Sequence, residues 1–275
     1  MKRFLVFISA GLMLGGCSGL FFYPDESHVR APAALGMEYR DVWFDSTDGI
    51  KLHAWFLPAR GQALGTVLFF HGNAENISTH ISSVSWLPKR RFNVFLFDYR
   101  GYGKSEGRPE IKGLQEDGAS AIRYLVENTS IDPNRLIVFG QSIGGAVAIY
   151  CVANSIYRCH IRALIVEGSF SGYRRIMREK LSEFWLTWPL QWLPSISISD
   201  KFSPISVVAK VTPIPLLIIH GENDSIVPMH HAKSLYNTAK EPKHFWVVQG
   251  LGHIEAFSQM DNRERLVAFM KDSLE

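Results

Sequence analysis

Three cysteines among 275 residues are too few for a disulfide scaffold. No cysteine-histidine cluster or His-Glu-x-x-His run has metal-ligand spacing. Charge of one sign is also scarce: 29 Lys and Arg against 26 Asp and Glu leave a net +3, which gives no reason to expect a nucleic-acid partner. No apolar run reaches the about 20 residues that a membrane-crossing helix needs. No segment repeats at a fixed period. Gly101-x-Gly103 lacks the third glycine and the following helix start of a nucleotide-binding loop. No metal and no cofactor are therefore expected. What the chain has in quantity is core material: 47% hydrophobic residues, with 18 Phe and 7 Trp, enough for one α/β domain.

The amino end is organised differently from the rest. Lys2-Arg3 precede a short apolar stretch from Phe4 to Leu14, and Gly15-Gly16-Cys17 follow. Basic start, short apolar centre and small exit residues read as a signal peptide over residues 1–16. Leu14-Gly15-Gly16-Cys17 resembles the lipobox of bacterial lipoproteins. That resemblance implies that Cys17 is lipidated and becomes the first mature residue. It also implies a lipid-anchored place in the bacterial cell envelope, and Ser18 implies the outer rather than the inner membrane if the host is Gram-negative. Residues 17–36 then read as a lipidated tether, with Phe21-Phe22-Tyr23 either at the membrane interface or packed on the domain. Cys151 and Cys159 read as two buried thiols; a disulfide between them, which an exported site permits, requires the helix after the elbow to end near Asn154.

The rest of the chain is arranged around Leu136 to Ala146. An apolar run reads as a strand buried on both faces. Gly140-Gln141-Ser142-Ile143-Gly144 follows, and Ala146 to Tyr150 reads as helix. Strand, sharp turn and helix is the setting of a nucleophile elbow, in which Ser142 stands above the strand end in a strained conformation. A serine attacking a carbonyl creates an oxyanion that needs two preset donors. The N–H groups of Ile143 and of Asn73, in the loop His71-Gly72-Asn73 after an earlier strand, are the candidates. His71, at a strand end, reads as a structural residue that holds this loop.

Strands read at Thr66–Phe70, Asn93–Phe97, Ala163–Glu167, Ile214–Ile219 and His244–Val248, with helices at 114–128, 229–238 and 258–271. Val42 to Leu57 reads as a hairpin turning at Asp48-Gly49. Strands alternating with helices imply a mostly parallel sheet covered on both faces. His71-Gly72-Asn73, Asp98-Tyr99-Arg100-Gly101-Tyr102-Gly103-Lys104-Ser105, the elbow, His220-Gly221-Glu222-Asn223-Asp224 and Gly252-His253 occur in that order. Together they resemble the α/β-hydrolase superfamily, in the branch of small serine hydrolases that are serine aminopeptidase-like or monoacylglycerol lipase-like. The resemblance implies an α/β-hydrolase fold over residues 37–275, with a small helical cap inserted at about 170–202.

It also implies the chemistry. A serine hydroxyl needs a base, and the base needs an orienting acid. His253 follows the last strand on a glycine-rich loop, and Asp224 follows the strand before it. Ser142, Asp224 and His253 stand in the chain order of this superfamily. Glu167 is the competing acid. The cap carries Phe184, Trp185, Trp188 and Trp192, which read either as an apolar pocket for an acyl chain or as glue between cap and core. The expected activity is hydrolysis of carboxylic esters through an acyl-enzyme, on a lysophospholipid, a monoacylglycerol or another small lipid-like ester. Peptidase and thioesterase activities remain alternatives, and so does a non-catalytic envelope scaffold.

Overall fold

The computed structural model describes residues 22–127, 130–183 and 185–275. Residues 1–16, Cys17 and Phe184 lie outside the described residues. In chain order the elements are β1 (Tyr23–Pro24), β2 (Arg40–Asp45), β3 (Lys51–Leu57), β4 (Gly65–Phe70), β5 (Ala74–Glu75), α1 (Ile77–His80), β6 (Phe92–Phe97), α2 (Ile111–Glu127), β7 (Leu136–Gln141), α3 (Ile143–Asn154), β8 (Ile161–Glu167), α4 (Tyr173–Glu183), α5 (Leu193–Ser197), β9 (Leu216–Gly221), α6 (Met229–Thr238), β10 (Lys243–Val248) and α7 (Met260–Asp272).

Eight strands form one sheet in the order β10-β9-β8-β7-β4-β6-β3-β2. The β2–β3 and β3–β6 pairs are antiparallel, and every other pair is parallel. The apolar runs of β4, β7 and β9 are buried along their whole length, because helices cover both faces. One face packs against α2, α3 and α6, with Phe70, Val138, Ile149 and Leu235 in its core. The other packs against α1, its flanking turns and α7, with Phe69, Phe139, Ile81 and Leu266 in its core. This is the α/β-hydrolase fold. It puts the carboxyl ends of β4, β7, β8, β9 and β10 along one edge, where the groups of such sheets gather.

Three expectations change. The expected tether is part of the domain from Phe22 onward: Phe22 is buried, and β1 pairs in parallel with β5. Asn76 completes the join, its side-chain amide donating to Asp25 O at 2.9 Å and Ser27 O at 2.8 Å. The Ile214–Ile219 strand is shifted, running from Leu216 to Gly221. Finally, only one of the two thiols is buried. Cys151 faces the core from α3, but Cys159 is exposed, because α3 stops at Asn154 and the turn that follows lies on the surface.

Candidate active site

The elbow begins with backbone packed on backbone. Ser142 caps α3 at φ 54° and ψ −120°, in the left-handed half of the map, where a β-carbon is strained. The fold holds it there from both sides. Ser142 N–H donates to Glu167 O at 2.8 Å, and Ser142 O accepts from Gly145 N at 3.1 Å. A Cβ on Gly140 would lie 2.5 Å from Gly144 O, and one on Gly144 would lie 2.2 Å from Phe70 O. Both positions therefore require glycine. Ile143 is the first residue of α3, so its N–H has no intrahelical acceptor.

The loop after β4 turns at Gly72 against His80, whose Nε2 hydrogen-bonds Ala74 O at 2.9 Å. Asn73 is held by Tyr102, whose hydroxyl donates to Asn73 O at 2.8 Å and to Asn73 Oδ1 at 3.0 Å. His71 is fully buried, with Nδ1 bonded to Gly72 O at 2.7 Å. Burial pushes its pKa down to about 3, so the ring is neutral near pH 7. It braces the loop.

The remaining two groups come from neighbouring strand ends. Gly221, the last residue of β9, lies so close to the loop after β10 that a Cβ there would meet Gly252 O at 2.2 Å. This contact sets the Asp224 turn beside the His253 loop. His253 Nδ1 lies 2.7 Å from Asp224 Oδ2, with the Asp224 side chain 1% and the His253 side chain 11% exposed. The other Asp224 oxygen accepts from Ile226 N at 2.9 Å and Val227 N at 2.8 Å. Burial alone would raise this carboxyl. The hydrogen bond and charge of His253, with the two N–H groups, outweigh it and hold Asp224 below its ordinary range. The His253 ring also lies beside Gly168, where an added Cβ would lie 3.0 Å from both Cε1 and Nδ1, one residue beyond the carbonyl that holds Ser142 N–H.

Glu167 has a different task. Its oxygens accept from Gln141 Nε2 at 2.7 Å and from Ala256 N at 2.8 Å, which ties the elbow strand to the segment after His253. Both its oxygens are engaged in that join, and the carboxylate hydrogen-bonded to His253 is Asp224.

Ser142, Asn73 and Ile143 open into a cleft of about 280 Å³. Its apolar wall is Phe170, Ile176, Met177, Ile226 and Val227, with Tyr23 and Lys180 at the same opening. Three of the four expected pocket aromatics are elsewhere. Trp185, Trp188 and Trp192 are 78%, 58% and 55% exposed and do not line the cleft. The cap reaches the cleft through α4 instead, where Ile176, Met177 and Lys180 follow helical spacing. Tyr23, Ile226 and Val227 are cleft residues that the sequence pattern does not single out. Tyr23 lies far from the elbow in the chain, and its aromatic run Phe21-Phe22-Tyr23 does not mark it as a cleft residue.

Residues 61–210 match the serine aminopeptidase (S33) family. The chain belongs to that family of α/β-hydrolases. Among its relatives, protein YfhR of Escherichia coli K12 is 38% identical over 92% of this chain and 87% of that protein. The α/β-hydrolase domain-containing protein WAV2 of Arabidopsis thaliana is 34% identical over 78% of this chain and 71% of that protein. Among solved structures, the Pyrococcus furiosus esterase Pf2001 superposes with a TM-score of 0.73 at 21% identity, covering 92% of this chain and 98% of that one. At that identity the likeness carries the fold. Family membership makes the chain a hydrolase; what it cleaves is argued from its own cleft.

Proposed function

We propose that this family member is a serine esterase that cleaves carboxylic esters with an apolar acyl group, held at the envelope membrane through a lipidated Cys17. The observation that supports it most is the pairing of Asp224 with His253 at 2.7 Å on loops locked to the strained Ser142 elbow. In this reading Asp224 holds the His253 ring by Nδ1–H, which leaves Nε2 to accept the Ser142 proton. Ser142 Oγ then attacks the ester carbon, with the N–H groups of Asn73 and Ile143 taking the oxyanion. The protonated His253 donates to the departing alcohol. Water, deprotonated by His253 in turn, releases the acid and restores Ser142.

The cleft favours an ester over a peptide amino terminus. Gripping an α-ammonium group takes carboxylates, and the cleft lining among the described residues carries none: apart from Ser142, Asn73 and Tyr23 it is apolar side chains and one cation, Lys180. The test has two arms. A fluorophosphonate probe should label the wild type and not Ser142→Ala. On a panel of nitrophenyl esters of increasing chain length and aminoacyl nitroanilides, medium-chain esters should turn over fastest. Faster cleavage of the aminoacyl amides would reject the ester reading.

A further inference from the structure

We propose that the cap docks on the bilayer that holds Cys17, so that the Ser142 cleft opens at the membrane surface. This extends the esterase reading by naming where its substrate is met, and it rests on the lipidation of Cys17.

The first observation is where the described chain starts. Tyr23 forms part of the cleft opening. Its position is fixed, because the strap that follows is bonded to the domain at successive points. Gly103 N donates to Asp25 O at 2.9 Å, His28 Nε2 meets Asp98 Oδ2 at 3.0 Å and Val29 N donates to Ser78 Oγ at 2.9 Å. Six peptide units separate Cys17 from Tyr23. Fully extended, they span at most about 22 Å. A diacylated Cys17 therefore keeps the cleft mouth within about that distance of the lipid surface, less than the diameter of the domain itself.

The second observation is the exposed face of the cap. Six of the fourteen large hydrophobic residues exposed among the described residues fall between 185 and 196: Trp185, Leu186, Trp188, Leu190, Trp192 and Ile196. They follow directly on α4, the helix whose Ile176, Met177 and Lys180 line the cleft. Tyr23 and Ile226, at 67% and 51% exposure, add exposed apolar side chains at the cleft opening itself. A clustered apolar surface of this kind on a water-soluble face marks an interaction site. Tryptophan belongs at the headgroup level of a bilayer, where its apolar ring and its N–H are both accommodated. The cap also carries five basic residues, Arg174, Arg175, Arg178, Lys180 and Lys201, against three acidic ones, Glu179, Glu183 and Asp200. That sign suits anionic lipid headgroups. A protein partner would satisfy the apolar face but not the short tether beside it; the bilayer satisfies both.

The experiment uses the full-length lipidated protein in vesicles of phosphatidylethanolamine and phosphatidylglycerol, with and without bromine on the acyl chains. Bromine quenches tryptophans that reach the acyl boundary. The wild type and Ser142→Ala should be quenched alike, since docking needs no reaction. The variant Leu186→Ser, Leu190→Ser, Ile196→Ser keeps every tryptophan as a reporter and should lose the quenching. It should hydrolyse a short water-soluble ester as the wild type does, which shows that it folds, and cleave vesicle-embedded monoacylglycerol about tenfold more slowly or worse. Equal emission from the wild type in brominated and plain vesicles overturns the docking, and so does unchanged quenching in the triple variant. Quenching without any ester hydrolysis keeps the docking and rejects the esterase reading. Hydrolysis of the soluble ester without quenching does the reverse.

Discussion

At the carboxyl edge of the sheet an added Cβ meets backbone, 2.2 Å from Phe70 O at Gly144 and 2.2 Å from Gly252 O at Gly221. In the cap, Trp185, Trp188 and Trp192 meet mostly solvent. The two regions flank the same cleft under different constraints. Around the elbow, chain packs against chain with no room for a side chain, so residue identity is dictated position by position. In the cap, side chains rest on a surface, and many residues would satisfy the same contacts. The first region fixes the geometry of the elbow, and the second leaves its outer face to solvent.

The sharpest way to break this contrast is Gly144→Val. The branched side chain has no space against Phe70 O and His71 O, so the variant should lose more than about 5 kcal/mol and fail to fold, as read by circular dichroism and urea unfolding. Trp188→Ser in the cap should change stability by less than about 0.5 kcal/mol. Next is Asp224→Asn, which leaves the packing of that buried turn in place but offers His253 the wrong partner. Ester turnover should fall by about 10⁴, near 5 kcal/mol in the barrier, with the melting temperature little changed. A fall of less than tenfold would remove Asp224 from the assigned role.

A third test moves away from the chemistry. Arg100 and Asp117 are buried together, with Arg100 Nη2 2.8 Å from Asp117 Oδ1 and Arg100 N donating to Asp117 Oδ2 at 2.8 Å. Asp117→Ala leaves the Arg100 guanidinium bonded to Asp48, Ser46 and Glu116, but removes its most buried carboxylate and orphans the buried Arg100 N–H and the Ser46 hydroxyl. The expected loss is about 3–5 kcal/mol in urea unfolding, with turnover per folded molecule unchanged.

The smallest effect is a pH dependence at the joint between cap and core. His231 Nδ1 accepts from Ser171 N at 3.1 Å, and its Nε2 meets Glu179 Oε2 at 2.8 Å. Burial lowers its pKa from 6.5 to about 4, against the pull of Glu179 and with the help of His230 and Arg175. Between those values the unfolded chain binds a proton that the folded one refuses. Stability is therefore complete above pH 6.5 and declines as pH falls toward about 4. Burial would raise the Glu179 carboxyl, but its bonds to His231 and His230 keep it below 4.5, so its own contribution is lost only at more acid pH. His231→Gln should flatten the slope of melting temperature against pH between 4 and 6.5.

The same contrast explains what the sequence makes legible. The strands at Thr66–Phe70 and Asn93–Phe97 can be read to within a residue, because double burial leaves continuous apolar runs. Helix 229–238 is marked by Pro228 at its start. Asp224 and His253 are legible because each sits on a short loop after a core strand. Glu167 also ends a strand, and sequence cannot distinguish an acid that faces the histidine from one that braces the elbow. The cap tryptophans mislead for a related reason. Aromatic spacing identifies an apolar surface but not whether it faces inward or outward. Tyr23 is illegible because its place depends on β1 pairing with β5, a contact between distant segments.

The most direct measurement is the turnover of a medium-chain nitrophenyl ester by purified Ser142→Ala beside the wild type. The expected result is a fall of about 10⁴ or more with the fold intact by circular dichroism. Turnover equal to that of the wild type would contradict the account, since Ser142 is the group it assigns to attack the ester.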